Sequence, residues 1–351
     1  MMLMRPIKKT DLDGLLTLLQ YSGYGLTSLP RDPEVLMHKI EASEESFKKK
    51  LRHKPGGELY LFVMEDLFSG EICGISGIIS KIGGYEPDYF YELKEKKQHS
   101  DQLQKDHIIK TLHLHKTHSG PAEICSIFLS PLYRQKRNSR LLSLSRFLYI
   151  AEHIHSFEKD IIAEMRGVVD DNGRNPFYEV VGKKFLQISF IEADFLRLKN
   201  RSFIEDLLPH DPIIVDLLPE EAQAVVAEVH PETVPARKIL EKEGFTFCGL
   251  VGIFEPGPVL KARVENLRSI KDSVVVSISD ISTQLIAEHN QKNEKNEDVE
   301  FYIISNRQNA NFKSCVGQVI LDDKGGATIP DVVATALRVK RGDQIRIVTF
   351  K

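Results

Sequence analysis

The stretch Ala122-Glu-Ile-Cys-Ser-Ile-Phe-Leu-Ser-Pro-Leu-Tyr-Arg-Gln-Lys-Arg-Asn-Ser-Arg-Leu-Leu-Ser-Leu-Ser-Arg-Phe-Leu148 decides how the chain is read. It is apolar and β-prone to Leu129, is closed by Ser130-Pro131, turns basic over 134–140, and then carries apolar residues at helical spacing. A strand running through a basic turn into a helix presents unpaired backbone N–H groups and a partial positive charge at the strand's end. Such a place suits phosphate or pyrophosphate. Arg134, Lys136, Arg137 and Arg140 would add charge-assisted contacts, with Asn138 and Ser139 in the same loop. A solvated basic loop is the plain alternative. Neither a P-loop nor a dinucleotide fingerprint is present, which argues against nucleoside triphosphates and nicotinamide cofactors.

Upstream, 3–7 reads as a strand, followed by a helix with Thr10 as N-cap and Leu12, Leu15, Leu16 and Leu19 as its stripe. A glycine-punctuated loop, Ser22-Gly-Tyr-Gly-Leu-Thr-Ser-Leu-Pro30, leads to a polar helix over 33–52 with Asp32 as N-cap and Pro33 in its first turn. Residues 59–65 and 72–80 form a hairpin, and 83–112 has no clean period. Downstream, 161–165 is a short strand, and a helix runs from Pro176 to Gly182. A second strand at 225–229 precedes His230-Pro-Glu-Thr-Val-Pro235 and a helix over 236–243 that Gly244 stops. The two strand–turn–helix stretches resemble each other as a weak internal repeat. A run without apolar residues, 289–298, is a polar loop inside a β-rich tail with strands at 273–279, 301–305, 316–321 and 344–350 and a short helix at 330–337. The expected architecture is α/β (α+β): a mixed central sheet over 1–265 and a small β-barrel-like domain over 266–351.

Composition bounds the function. The chain has 351 residues and a formal charge of −3, which disfavours a dedicated nucleic-acid binder. Its 4 cysteines (Cys73, Cys125, Cys248 and Cys315) form no C-x-x-C pair. His113 and His115 share a strand face, but no Cys or Asp completes a ligand set, so no metal is expected. No signal peptide or membrane span is read in the amino-terminal segment, and the expected setting is cytoplasmic. His230, past a strand and before a turn, stands where open α/β sheets place ligand groups, and a reference pKa of about 6.5 suits proton transfer. A hydrogen-bonded structural histidine is the competing reading. Glu164 and Arg166 at another strand end could recognise an amino group and a carboxylate, or simply pair with neighbouring charges.

These segments resemble the arginine N-succinyltransferase (AstA-like) family of the GNAT acyltransferase superfamily. The resemblance rests on Gly25-Leu-Thr-Ser-Leu-Pro30, Glu123-Ile-Cys-Ser-Ile-Phe-Leu129, Leu141-Leu-Ser-Leu-Ser-Arg-Phe147, Ala163-Glu-Met-Arg-Gly167, Asn175-Pro-Phe-Tyr178, Ala193-Asp-Phe-Leu196, His230-Pro-Glu-Thr-Val-Pro-Ala-Arg237 and Leu240-Glu-Lys-Glu-Gly-Phe245, in order over 1–265. It implies a GNAT-type fold and transfer of succinyl from succinyl-CoA to the α-amino group of L-arginine, with ornithine accepted by some relatives, in arginine catabolism. Succinyl-CoA would be a co-substrate, with no tightly bound cofactor. The family's acid/base histidine matches His230, and a backbone contact to the acyl-CoA matches Ile127, with Leu129 beyond it. Leu26, Thr27 and Ser28 are candidates for substrate contact. The expected assembly is a homo- or hetero-oligomer with a related subunit, without nucleic-acid or membrane partners. One departure stands out: the family has glycine at two loop places that align with Arg137 and Ser139. Other readings are an acyltransferase with another acyl-CoA or amino acid, and a non-catalytic amino-acid-binding subunit.

Overall fold

The structure is a computed structural model that describes residues 1–22, 28–49, 54–134, 136–170, 172–285 and 300–350; the polar loop 289–298 lies outside them. In the main part the strands are β1 (Met2–Pro6), β2 (Leu59–Asp66), β3 (Ile72–Ile79), β4 (Asp88–Ser100), β5 (Lys105–Thr117), β6 (Ala122–Leu129), β7 (Asp160–Glu164), β8 (Ile213–Ile214), β9 (Thr246–Val251) and β10 (Pro258–Arg263). The tail adds β11 (Val274–Ser282), β12 (Phe301–Asn306), β13 (Ser314–Gln318), β14 (Ile320–Leu321), β15 (Gly326–Pro330) and β16 (Gln344–Thr349). The helices are α1 (Leu12–Leu19), α2 (Pro33–Lys48), α3 (Lys136–Glu152), α4 (Pro176–Val180), α5 (Gly182–Leu186), α6 (Phe190–Arg197), α7 (Ser202–Leu207), α8 (Glu220–Gln223), α9 (Val234–Glu243), α10 (Arg268–Lys271) and α11 (Asp331–Leu337). No helix among the described residues is long and apolar enough to cross a membrane.

A mixed sheet runs in the order β14-β15-β11-β16-β12-β13-β1-β2-β3-β6-β7-β10-β9-β4-β5-β8. Helix α3 covers one face, where Leu141, Leu144, Phe147 and Leu148 pack on Ile124, Ile161 and Ala163. The opposite face carries α1 and α2, whose Leu15, Leu18, Leu36 and Ile40 meet Leu61, Val63 and Ile75. Short helices α4–α8 enclose a second core with Tyr91, Phe177, Tyr178 and Phe254. Helix α2 begins as its sequence requires: Asp32 accepts from the N–H groups of Glu34 and Val35, and Pro33 occupies the first turn, where no N–H is needed.

Several expectations change. Thr10 is not an N-cap; it lies inside a short 3-10 turn, and the N-cap of α1 is Asp11, whose carboxylate makes no bond to the helix but accepts from the backbone N–H of Lys8 and pairs with Arg5 at 2.7 Å. Residues 225–229 are not a strand: Ala227 takes φ +63°, which ends any extended run, and its N–H donates to Pro256. The internal repeat therefore has a strand in its first copy only. The basic segment after β6 is not a loop throughout, because α3 starts at Lys136 and carries Arg137 to Arg140 in its opening turns. Finally, 88–117 is a long hairpin whose outer half is exposed on both faces, so no buried face imposed alternation on its sequence.

The tail is fastened to α3. Phe301, Ile303, Phe312 and Val316 join the same core as Met4, Phe62 and Tyr149, and β13 pairs with β1 at Ser314 and Met4. Glu152, only 4% exposed at the end of α3, takes Arg346 Nε at 2.7 Å and Arg307 Nε at 2.9 Å. Removing one partner of a buried ion pair strands the other charge, at a cost of about 3–5 kcal/mol. Glu152→Ala is therefore expected to lower the unfolding free energy measured in urea by that order, and so the midpoint, with part of the loss recovered in Glu152→Ala/Arg346→Met. An unchanged midpoint in the single variant would show that the tail is held by its apolar core alone.

Candidate active site

The site is made by the parting of two neighbouring strands. Strand β6 pairs with β7 in parallel only at Ala122–Ile161 and Glu123–Ile162, and beyond Glu123 the two separate. On its other side β6 follows β3 with a register shift: Cys125 faces Gly77 and Phe128 faces Ile75, so one extra residue is inserted on β6. Ser126 absorbs it at φ +53°, an uncommon conformation for a residue with a side chain. Its hydroxyl donates to Ser28 Oγ at 3.0 Å, which anchors the loop before α2 to the bulge. Behind the bulge the fully buried Arg146 of α3 donates to Gly77 O at 3.4 Å and to Ser143 O at 3.1 Å. Ile127, next to Ser126, is 37% exposed in the opening.

The side of β7 that β6 leaves is taken by the segment leading to His230. The N–H of Met165 donates to Pro258 on the β10 side, so by strand alternation the peptide groups of Glu164 and Arg166 turn toward the opening. There Arg166 O accepts the backbone N–H of His230 at 2.9 Å. His230 caps a 3-10 turn, Pro231–Thr233, and its Nδ1 accepts from the N–H of Glu232 at 3.2 Å. With Nδ1 acting as acceptor, the neutral ring carries its proton on Nε2.

Charged groups line the face of the opening on the α2 side. Ile124 packs under α3, so by alternation its neighbours Glu123 and Cys125 point to the other face, and Glu164 does the same beside Ala163 and Met165. Asp194 and Arg197 come from α6, Arg201 follows it, Asp88 opens β4, and Lys39 comes from α2. Arg197 reaches Asp194 at 3.1 Å and Glu164 at 3.7 Å, and Arg201 reaches Asp88 at 2.7 Å. Arg166 pairs with Glu232 at 3.4 Å. An open cleft lined by Pro30, Asp32, Pro33 and Phe195 lies between the start of α2 and α6.

Burial dominates the electrostatics. It pushes the Glu123 carboxyl up to about 8, helped by Glu164 and Asp88 and opposed by Arg201 and Arg197. Burial also raises Glu164, against the pull of Arg197, and raises Glu255 well above the usual carboxylate range, reinforced by Asp194 and Glu164. The Lys39 ammonium is lowered by the same desolvation. Burial pushes the Cys125 thiol up to about 12, so it stays protonated and is no nucleophile.

The structure thus brings Ser28, Ile127, Glu164, Arg166 and His230 to one opening. Leu26 and Thr27 lie outside the described residues. Leu129 is buried, and its carbonyl accepts from Arg134 Nε at 3.3 Å. Asn138 donates to Tyr133 O at 3.0 Å, and Ser139 sits in the first turns of α3, as does the backbone of Lys136. Arg137 lies 4.2 Å over the Phe301 ring, and Arg140 donates to Phe350 O at 2.6 Å, so both side chains are engaged by the tail. Sequence reasoning did not single out Lys39, Asp88, Glu123, Asp194, Arg197, Arg201 and Glu255 as site charges. The one visible signal was Glu123, an acid within an apolar β-prone run.

A carboxyl whose folded pKa is raised binds its proton more tightly folded than unfolded. The folded state is then penalised as pH rises from the ordinary value near 4.5 toward about 8, and the penalty is constant above that. Glu123→Gln keeps the neutral form at every pH. The variant's melting temperature is expected to gain on the parent's as pH is raised from 5 to 9. Parallel curves would mean that Glu123 titrates normally.

Residues 2–269 match the family model described as arginine N-succinyltransferase beta subunit, and 286–349 match the model of that subunit's C-terminal domain. The chain is similar to "Arginine N-succinyltransferase" of Yersinia pseudotuberculosis, 36% identical over 355 residues that cover 100% of this chain and 98% of that protein. It is also similar to the protein of that name from Citrobacter koseri, 38% identical over 279 residues, or 79% of this chain and 80% of that one. Among solved structures, the arginine/ornithine succinyltransferase subunit AI of Pseudomonas aeruginosa superposes with a TM-score of 0.86 at 32% identity, covering 99% of this chain and 98% of that one.

Proposed function

We infer that this chain, which belongs to the arginine N-succinyltransferase family, transfers the succinyl group of succinyl-CoA to the α-amino group of L-arginine. The observation that carries the reading is the opening between β6 and β7, with the Ser126 bulge on one lip and His230 on the other, in a chain that matches its relatives from end to end. We read the sheet as a GNAT-type acyltransferase core over 1–265 with a barrel-like tail over 266–351. The acyl-CoA would lie in the opening, its carbonyl near the Ile127 backbone and its phosphates toward the start of α3 and Arg134. Backbone N–H groups at a helix start bind phosphate without glycine, provided nearby side chains are held aside, as the tail holds Arg137 and Arg140. The protein would act in an oligomer with itself or a related subunit.

A thioester is reactive enough for direct attack by a neutral amine, so the protein's work is alignment and charge management. The acceptor's ammonium first releases one proton. The amine nitrogen then bonds to the carbonyl carbon, giving a tetrahedral adduct with negative oxygen and positive nitrogen. As the carbon–sulfur bond breaks, the nitrogen's surplus proton balances the one the sulfur takes. His230 would serve this exchange in one role, either as the base that takes the nitrogen's surplus proton or, once protonated, as the acid that gives a proton to the departing sulfur. The backbone near Ile127 would stabilise the oxyanion.

A positioned acid/base contributes about 10²–10⁴ in rate. His230→Ala is expected to fold, to bind CoA in a calorimetric titration, and to release thiol from succinyl-CoA plus arginine slower by that factor. Turnover equal to the parent would remove His230 from the mechanism. No CoA binding by the parent at millimolar ligand would overturn the acyl-CoA reading itself.

A further inference from the structure

In the charged cleft most ions are already matched. Arg197 holds Asp194 and Glu164, Arg201 holds Asp88, and Arg166 holds Glu232. Glu123 and Lys39 are different. Among the described residues no hydrogen bond or ion pair engages either side chain, and Lys39 lies within reach of the Glu123 charge. In the neighbouring charged group around Glu164, Arg166 Nε and Glu255 Oε2 are buried atoms with no hydrogen-bond partner among the described residues. Desolvated polar groups left without partners cost folding energy, and a complementary ligand relieves that cost.

Placement supports the same conclusion. Glu123 is the last residue of β6 to pair with β7, so its carboxyl marks the closed end of the opening. Ile127 lies four positions further along the strand, about 13 Å at the usual rise. That span, from the site of attack to the closed end, fits an acceptor with a long side chain ending in a cation.

We propose that Glu123 and Lys39 are the two poles of the acceptor seat, Glu123 receiving the cationic end of the amino acid and Lys39 its carboxylate. The assignment rests on the acyl-transfer reading above. A guanidinium is the cation best matched to a carboxylate, because its planar fork can donate two parallel hydrogen bonds. Burial holds the Glu123 carboxyl up at about 8, and an arriving cation draws off that proton and strengthens the pair. The seat thus selects for an acceptor that carries both charges.

Two arginine analogues separate the poles: citrulline keeps the shape and loses the cation, and agmatine keeps the cation and loses the carboxylate. The measurement is kcat/KM with succinyl-CoA for arginine, citrulline and agmatine in the parent protein, Glu123→Gln and Lys39→Met. The parent is expected to prefer arginine over both analogues. In Glu123→Gln the arginine-to-citrulline ratio is expected to fall at least tenfold, chiefly through KM, with the arginine-to-agmatine ratio retained; Lys39→Met is expected to do the reverse. A variant that keeps its own ratio, or that slows all three acceptors equally with KM unchanged, overturns the assignment. Unchanged CoA binding and melting temperature show that a variant is folded. A parent that acylates no arginine at all defeats the acyl-transfer reading instead, so the two failures are distinct.

Discussion

The site depends on one constraint in the backbone: β6 cannot follow β3 and β7 at once. An extra residue between Cys125 and Phe128 bends β6 at Ser126, and pairing with β7 ends at Glu123. A continuous ladder would have covered this surface with strand hydrogen bonds. The interruption leaves a wedge with backbone on both sides, one lip at the bulge and the other at His230. Arg146, buried behind the bulge and bonded to Gly77 O, fills the space that the bent strand opens toward α3. Positive φ at Ser126 costs energy, and its persistence in a tightly held strand fits a place where geometry serves the site rather than stability.

Electrostatics follow from that wedge. Acids and bases drawn from α2, β4, β6, β7 and α6 share a space too narrow to hydrate them fully, so desolvation is the first cause of nearly every shift there. Ion pairs buried in this way are rarely a net source of stability, because the cost of leaving water rivals the attraction gained. Their density here is understandable if the cleft exists to hold a charged, hydrophilic ligand. The apolar core on the α3 face, with Tyr149, Phe62 and Phe312 in edge-to-face contact, provides rigid support on the opposite side of the sheet. The tail has a second effect. By holding Arg137 on Phe301 and Arg140 on Phe350 O, it withdraws two cations from the end of β6 and leaves the opening turn of α3 to present its backbone.

Much of the local structure was legible in the residues. Asp32-Pro33 announced the start of α2, Gly244 its counterpart at the end of α9 with φ +105°, and the apolar runs at β2, β3 and β6 their strands. Each of these signals acts over a few residues, through capping, backbone freedom or side-chain alternation. Where local signals were absent or overruled, the reading failed. The hairpin at 88–117 is exposed in its outer half and had no buried face to write a period into its sequence. The apolar run at 225–229 looked like a strand, but the chain beside β7 turns at Ala227 and meets Arg166 O through the His230 N–H.

By itself the sequence determined many of the element types, the central strand–helix unit, the family and the candidacy of His230, because those depend on short-range chemistry and on motif order. Only the tertiary structure decided which strands part, where Arg137 and Arg140 point, and which charges meet. Lys39, Glu123, Glu164, Arg197 and Glu255 come from widely separated segments, and no spacing along the chain links them. Their common environment arises from the parting of β6 and β7 under α2 and α6, and it is the low dielectric of that crevice that turns ordinary polar residues into groups with altered proton affinity.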